Sequence, residues 1–124
     1  MPRAVLVYDG DCGFCTAAAR WIEARWPEGA DVAATSSQRL DPALAAAAGV
    51  APEAFGDAAY WLEGTRARRG ADAAAAALVA SGGALGVLGR LLELAPVAML
   101  AEPAYRVVAR NRHRLPGATP ACRI

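Results

Sequence analysis

A short unbroken apolar run near the N-terminus, Ala4–Tyr8 (AVLVY), constrains the fold more than any other segment of the chain. Five consecutive apolar residues without polar alternation read as a buried strand. Asp9-Gly10-Asp11 closes the run. Asp11 is expected as a helix N-cap, because its short carboxylate can accept a hydrogen bond from an orphan amide. A helix is then predicted from about Cys12 to Trp26. Cys15, Ala19, Ile22 and Trp26 fall on one stripe at helical spacing, and Pro27 and Gly29 stop it.

The remaining elements follow from the same signals. Ala30–Thr35 reads as a second, weak strand. Asp41–Gly49 reads as a short helix with Asp41 as cap and Pro42 in the first turn. Ala58–Glu63 is a strand that Gly64-Thr65 turns back into Arg66–Gly70 as a hairpin. Asp72 opens an alanine-rich helix that ends near Ser81-Gly82-Gly83. Leu85, Leu88 and Leu92 form the expected inward stripe of the next helix, which Pro96 ends. Pro103 fits the first turn of a last helix, with Tyr105, Val108 and Arg112 on one face. A strand–helix–strand unit, a hairpin and then helices predict an α/β layer fold. Its sheet would be small and mixed, with flanking helices and a helical C-terminal half. No repeat or linker divides residues 1–124, so a single domain is expected.

Composition narrows the functional classes. A chain of 124 residues can bury roughly two-thirds of its unfolded surface and needs no disulfide staples. Apolar residues make up 56% of it, but many are alanines, which favour helix and bury little area each. The core is therefore expected to rest on leucines, valines, Phe14, Phe55 and the tryptophans Trp21, Trp26 and Trp61. Thirteen basic and 12 acidic residues leave a net charge of +1, so no whole-molecule field points to nucleic acid. The N-terminal residues lack the pattern of a secretory signal, and a cytoplasmic location is expected. The apolar stretch Leu78–Leu100 carries Arg90, Glu93, Pro96 and Gly82-Gly83. It reads as packed helices rather than a membrane span.

In a reducing compartment, three cysteines point to redox chemistry, a metal or small apolar packing. The turn Asp9-Gly10-Asp11-Cys12-Gly13-Phe14-Cys15 favours the first. A thiolate is the species that attacks a disulfide, and unpaired amides at a helix N-terminus favour negative charge. Cys15 lies one turn behind Cys12 on the same helix face. Cys12 is the expected attacking sulfur and Cys15 the resolving one. Asp9 and Asp11 flank the pair. Their charge opposes ionisation of Cys12, and either can relay protons to Cys15 or cap the helix. The expected partner is a protein or small-molecule disulfide or dithiol. No GxGxxG fingerprint suggests a nicotinamide cofactor, and no cofactor is expected.

Two rival readings come from other classes. Cys12, Cys15, His113 and Cys122 form a set suited to structural zinc, but a CxxC opening a helix after a strand suits redox better. Alternatively, the apolar surface of Leu78–Leu100 serves a non-catalytic module that docks a protein or a membrane. Core packing is the favoured reading of that stretch. The arginines Arg106, Arg110, Arg112 and Arg114 read as a solvated helix face.

The run Tyr8-Asp9-Gly10-Asp11-Cys12-Gly13-Phe14-Cys15 resembles the signature of the DCC (Asp-Cys-Cys) family, thioredoxin-like proteins assigned as thiol–disulfide oxidoreductases. The segment Tyr105–Arg114 is similar to that family's closing helix, Cys122-Arg123 to its ending, and Gly70-Ala71-Asp72-Ala73 to its Gly-Ser-Asp-Ala stretch. The resemblance implies a thioredoxin-like fold with Cys12 and Cys15 as the redox pair and Asp9 as the family aspartate. Thioredoxins also place a cis-proline before a strand beside the CxxC. The nearest candidate here, Pro52, lies several residues before Ala58.

Overall fold

The computed structural model describes residues 2–56 and 58–111. Its elements run β1 (Ala4–Tyr8), α1 (Gly13–Glu23), β2 (Val32–Ser36), α2 (Pro42–Ala47), a 3-10 turn (Pro52–Gly56), β3 (Tyr60–Glu63), β4 (Arg66–Arg69), α3 (Ala71–Ser81), α4 (Gly83–Glu93) and α5 (Ala95–Asn111). The strands form one mixed sheet in the order β2-β1-β3-β4. β1 pairs parallel with β2, with Ala4 opposite Val32 and Tyr8 opposite Ser36. It pairs antiparallel with β3, and β3 with β4. The crossover through α1 is what a parallel β1–β2 pair requires.

β1 is a central strand, and its period-2 side chains feed two cores. Ala4 and Leu6 face Ile22, Trp61 and the α3 alanines Ala73, Ala76 and Ala77. Val5 and Val7 face Ala45, Phe55, Tyr60 and Leu62, with Leu40, Leu44 and Tyr105 packed around them. An unbroken apolar strand is therefore explained by burial on both faces. The edge strand β4 carries Arg66, Arg68 and Arg69, and such charges protect an open edge from pairing with other chains.

α1 stops at Glu23, short of the predicted end at Trp26. Trp26 nevertheless packs against the core. Its indole donates to the Ala77 carbonyl at 3.0 Å and meets Trp61 edge-on with ring centroids 6.1 Å apart. Trp61 is buried as expected. Trp21 is not a core residue: it is 48% exposed, with the Arg25 guanidinium 3.7 Å from its ring centre. Phe14 is only half-buried. Alanines take a larger share of the core than their size suggests, because they let α3 lie close to its neighbours.

The C-terminal half corrects the expected stripe on α4. Leu88 is exposed, as are Val87 and Leu91. The buried positions of α4 are Gly86 and Gly89. The physical reason is the alanine-rich surface of α3, against which only residues without a Cβ come close. A Cβ at Gly89 would lie 2.7 Å from the Ala75 carbonyl oxygen and 2.7 Å from the Val79 nitrogen. Leu88 and Leu91 are thereby turned outward, while Leu85 and Leu92 of the expected stripe stay half-buried. α5 starts at Ala95, so Pro96 opens this helix instead of ending α4, and Pro103 lies inside it. Proline removes the donor that would pair with the Met99 carbonyl. Pro103 and Met99 are both exposed, so water can take that donor's place. Among the described residues, no helix is long and apolar enough to cross a membrane.

The start of α3 has a cap borrowed from elsewhere. Gly70 precedes it without a side-chain cap. The Ala71 amide donates instead to Glu102 Oε2 of α5 at 3.1 Å, a carboxylate at the positive end of the helix.

Candidate active site at the start of the first helix

The C-terminal end of β1 and the N-terminus of α1 meet at Asp9–Cys12. The helix cap is Cys12 rather than Asp11. Cys12 has an extended backbone at φ −90°, ψ 116°, and its Sγ accepts a hydrogen bond from the Cys15 amide at 3.5 Å. A sulfur has taken the place that a hydroxyl or carboxylate oxygen usually fills. It does so because Asp11 belongs to the preceding turn: its amide donates to Asp9 Oδ1 at 3.0 Å. The Cys12 amide donates to the Asp9 carbonyl at 3.2 Å. Thr16, one turn into α1, donates its hydroxyl to the Cys12 carbonyl at 3.0 Å. The CxxC turn is thus held by backbone and by Thr16.

Cys12 is disulfide-bonded in the structure, and Cys15 stands outside that bond. Cys12 is also completely buried, whereas Cys15 is half-buried and lines a cavity. Of the two cysteines, the second is the more accessible.

A residue not anticipated from the sequence organises the two aspartates. Gln38 follows β2, and its amide nitrogen donates to Asp9 Oδ1 at 3.2 Å and to Asp11 Oδ2 at 3.2 Å. Its oxygen accepts from the Gly10 amide at 3.0 Å. One side chain therefore ties the loop after β1 to the loop after β2. The parallel register that places Tyr8 beside Ser36 brings these loops together. That pairing, between residues 28 apart in sequence, leaves no local pattern. The carboxylates of Asp9 and Asp11 both accept from Gln38.

Beside the CxxC lies a cleft of about 310 Å³ with an almost entirely carbon wall. Phe14, Cys15 and Trp21 of α1 form one side; Leu78 of α3 and Tyr105 of α5 are among the residues opposite. Tyr105 is fixed by its Oη, which accepts from the Ala59 amide at 3.0 Å. Such walls suit an apolar group. Trp21, expected in the core, is instead a half-exposed wall of this cleft.

The other candidates fall elsewhere. His113, Cys122, Arg112 and Arg114 lie outside the described residues. Among the described residues no group of three or more His, Cys, Asp or Glu could hold a metal ion. Arg106 and Arg110 are exposed on α5, as expected of a solvated face. Pro52 opens the 3-10 turn, and no cis peptide bond occurs among the described residues.

A four-stranded mixed sheet in this order, with a CxxC at the turn from its central parallel strand into a helix, defines a thioredoxin-like domain. Residues 6–118 match the family model described as DCC1-like thiol-disulfide oxidoreductase, and the chain belongs to that family. No curated protein and no solved structure matches it.

Proposed function

We propose that the protein exchanges thiols and disulfides through Cys12 and Cys15, with Cys12 as the attacking sulfur and Cys15 as the resolving one. The observation that carries this reading is the cap: Cys12 Sγ sits at the N-terminus of α1 and accepts the Cys15 amide at 3.5 Å. An amide donor and the helix dipole both favour a thiolate at that position.

The cycle balances without a bound cofactor. The Cys12 thiolate attacks one sulfur of a substrate disulfide; that S–S bond breaks and the departing thiolate takes a proton. Cys15 loses its proton to solvent and attacks Cys12 Sγ. A Cys12–Cys15 bond forms and the second substrate thiol leaves. The substrate gains two electrons and the protein dithiol loses two. In the reverse direction the pair oxidises a dithiol. Asp9, Asp11 and Gln38 shape the loop that presents Cys12.

Trapping tests this order. Cys15→Ser protein, reduced and then exposed to a disulfide substrate, should accumulate a mixed disulfide on Cys12, visible as an added mass by intact mass spectrometry. Cys12→Ser should not. Equal trapping by both variants, or trapping only on Cys15, overturns the assignment.

A further inference from the structure

The apolar cleft beside Cys15 has a neighbour of opposite character. A second cleft of about 260 Å³ is lined by Arg69 of β4, Glu102, Arg106 and Arg110 of α5, and by Ala58 and Tyr105. Ala58 and Tyr105 also line the first cleft, so the two adjoin across these residues. Three guanidinium groups face one carboxylate there. That carboxylate is already engaged by the Ala71 amide and, at 3.8 Å, by Arg106. Neither Arg69 nor Arg110 forms a salt bridge among the described residues. The site thus presents, in sequence, a sulfur, a carbon-walled space and an excess of positive charge.

We propose that the substrate is an amphipathic thiol or disulfide of low molecular weight, with an apolar chain next to its sulfur and an anionic group at the far end. The chain fills the cleft between Phe14, Cys15, Trp21 and Tyr105, and the anion reaches Arg69 and Arg110. At roughly 30 Å³ per water-sized unit, 310 Å³ holds an apolar group of about ten heavy atoms. A peptide disulfide whose cysteine is flanked by polar residues would leave this wall unfilled. The exchange follows the cycle above, and this inference rests on that reading.

The experiment uses the reduced full-length chain and four mixed disulfides of pyridine-2-thiol. Their other halves are 8-mercaptooctanoate, 8-mercaptooctanol, 3-mercaptopropionate and glutathione. Single-turnover release of pyridine-2-thione is followed by stopped flow. Each rate is divided by that probe's rate with free dithiothreitol, which removes intrinsic reactivity. The octanoate probe should react about tenfold faster than each of the other three. In an Arg69→Gln, Arg110→Gln double variant, the octanoate-to-octanol ratio should fall to about one. Ala18→Trp changes an exposed residue on the wall of the apolar cleft, and should remove the octanoate-to-propionate preference. Equal normalised rates for all four probes, or a glutathione probe that matches octanoate, overturns the substrate class and leaves the exchange reading standing. Rates no higher than those of Cys12→Ser with every probe overturn the exchange reading itself.

Discussion

Gly10 and Gln38 hold each other in a way that leaves no room for a side chain at Gly10. The Gly10 amide donates to Gln38 Oε1 at 3.0 Å, and a Cβ built on Gly10 would lie 2.7 Å from that same oxygen and 2.6 Å from Ser36 Cβ. Ser36 is the last residue of β2 and is paired with Tyr8, so it cannot retreat without disturbing the sheet. Gly10→Ala should therefore destabilise the protein by about 1–3 kcal/mol, the usual cost of an overpacked position. The midpoint of urea unfolding should fall with little change in slope. An unchanged midpoint would show that the loop has slack.

The Gln38 bridge leads to a second prediction, about reactivity. Its amide nitrogen lies between the carboxylates of Asp9 and Asp11. Gln38→Glu replaces that donor with a third negative charge near Cys12. Negative charge disfavours the thiolate, but a thiol that ionises less readily is also a better nucleophile once ionised, with a Brønsted slope near one half. A tenfold drop in thiolate fraction thus slows reaction only about threefold. In the Cys15→Ser background, reduced Gln38→Glu should react with iodoacetamide about two- to threefold more slowly near neutral pH. Gln38→Met, which adds no charge, separates the electrostatic effect from loss of the bridge. A Gln38→Glu rate equal to or above that of Gln38→Met would remove the electrostatic account.

The contrast between Cys12 and Gln38 shows how far the sequence could be read. The apolar run, the CxxC spacing and the turn residues are local signals, so β1, α1 and the position of the sulfurs were legible. The hairpin was legible for the same reason: Gly64 sits between β3 and β4. Gln38 was not, because its role depends on a parallel register between strands far apart in sequence. Leu88 departs from the expected stripe for a related cause. Leucine spacing normally marks the buried face of a helix, but the alanine surface of α3 admits the closer approach of Gly86 and Gly89. The position of Asp11 was misread because Asp9 claims its amide, which moves the cap one residue on.

Tyr105 anchors α5 to the sheet, and a third prediction follows. The Ala59 amide donates to Tyr105 Oη at 3.0 Å, just before β3 begins. Tyr105→Phe keeps the ring in both clefts and strands that part-buried amide. An unsatisfied donor costs about 1–3 kcal/mol when buried, and partial access to water places this site at about 1 kcal/mol. Hydrogen exchange at Ala59 should speed up while exchange at Leu6, in the centre of the sheet, changes only as global stability does. An Ala59 amide that stays as protected as before would show that Tyr105 is not its partner.

The packing of α4 on α3 makes opposite predictions for two glycines one turn apart. A Cβ at Gly86 would meet nothing closer than the Val79 carbonyl oxygen at 3.6 Å, an ordinary contact. Gly86→Ala should therefore gain helix propensity, up to about 1 kcal/mol. At Gly89 the same gain is available, but the added Cβ would meet backbone atoms of α3 at 2.7 Å and Leu78 Cβ at 2.9 Å. Backbone cannot rotate away as a side chain can, so the helices must separate. An overpacking cost of about 1–3 kcal/mol outweighs the propensity term, and Gly89→Ala should be destabilising on balance. Because Ala75 and Leu78 of α3 are both displaced by that separation, and Leu78 lines the apolar cleft, the same substitution should also alter the cleft. Urea unfolding of the two single variants decides the matter. If both shift the midpoint in the same direction, helix propensity rather than interhelical contact governs this pair.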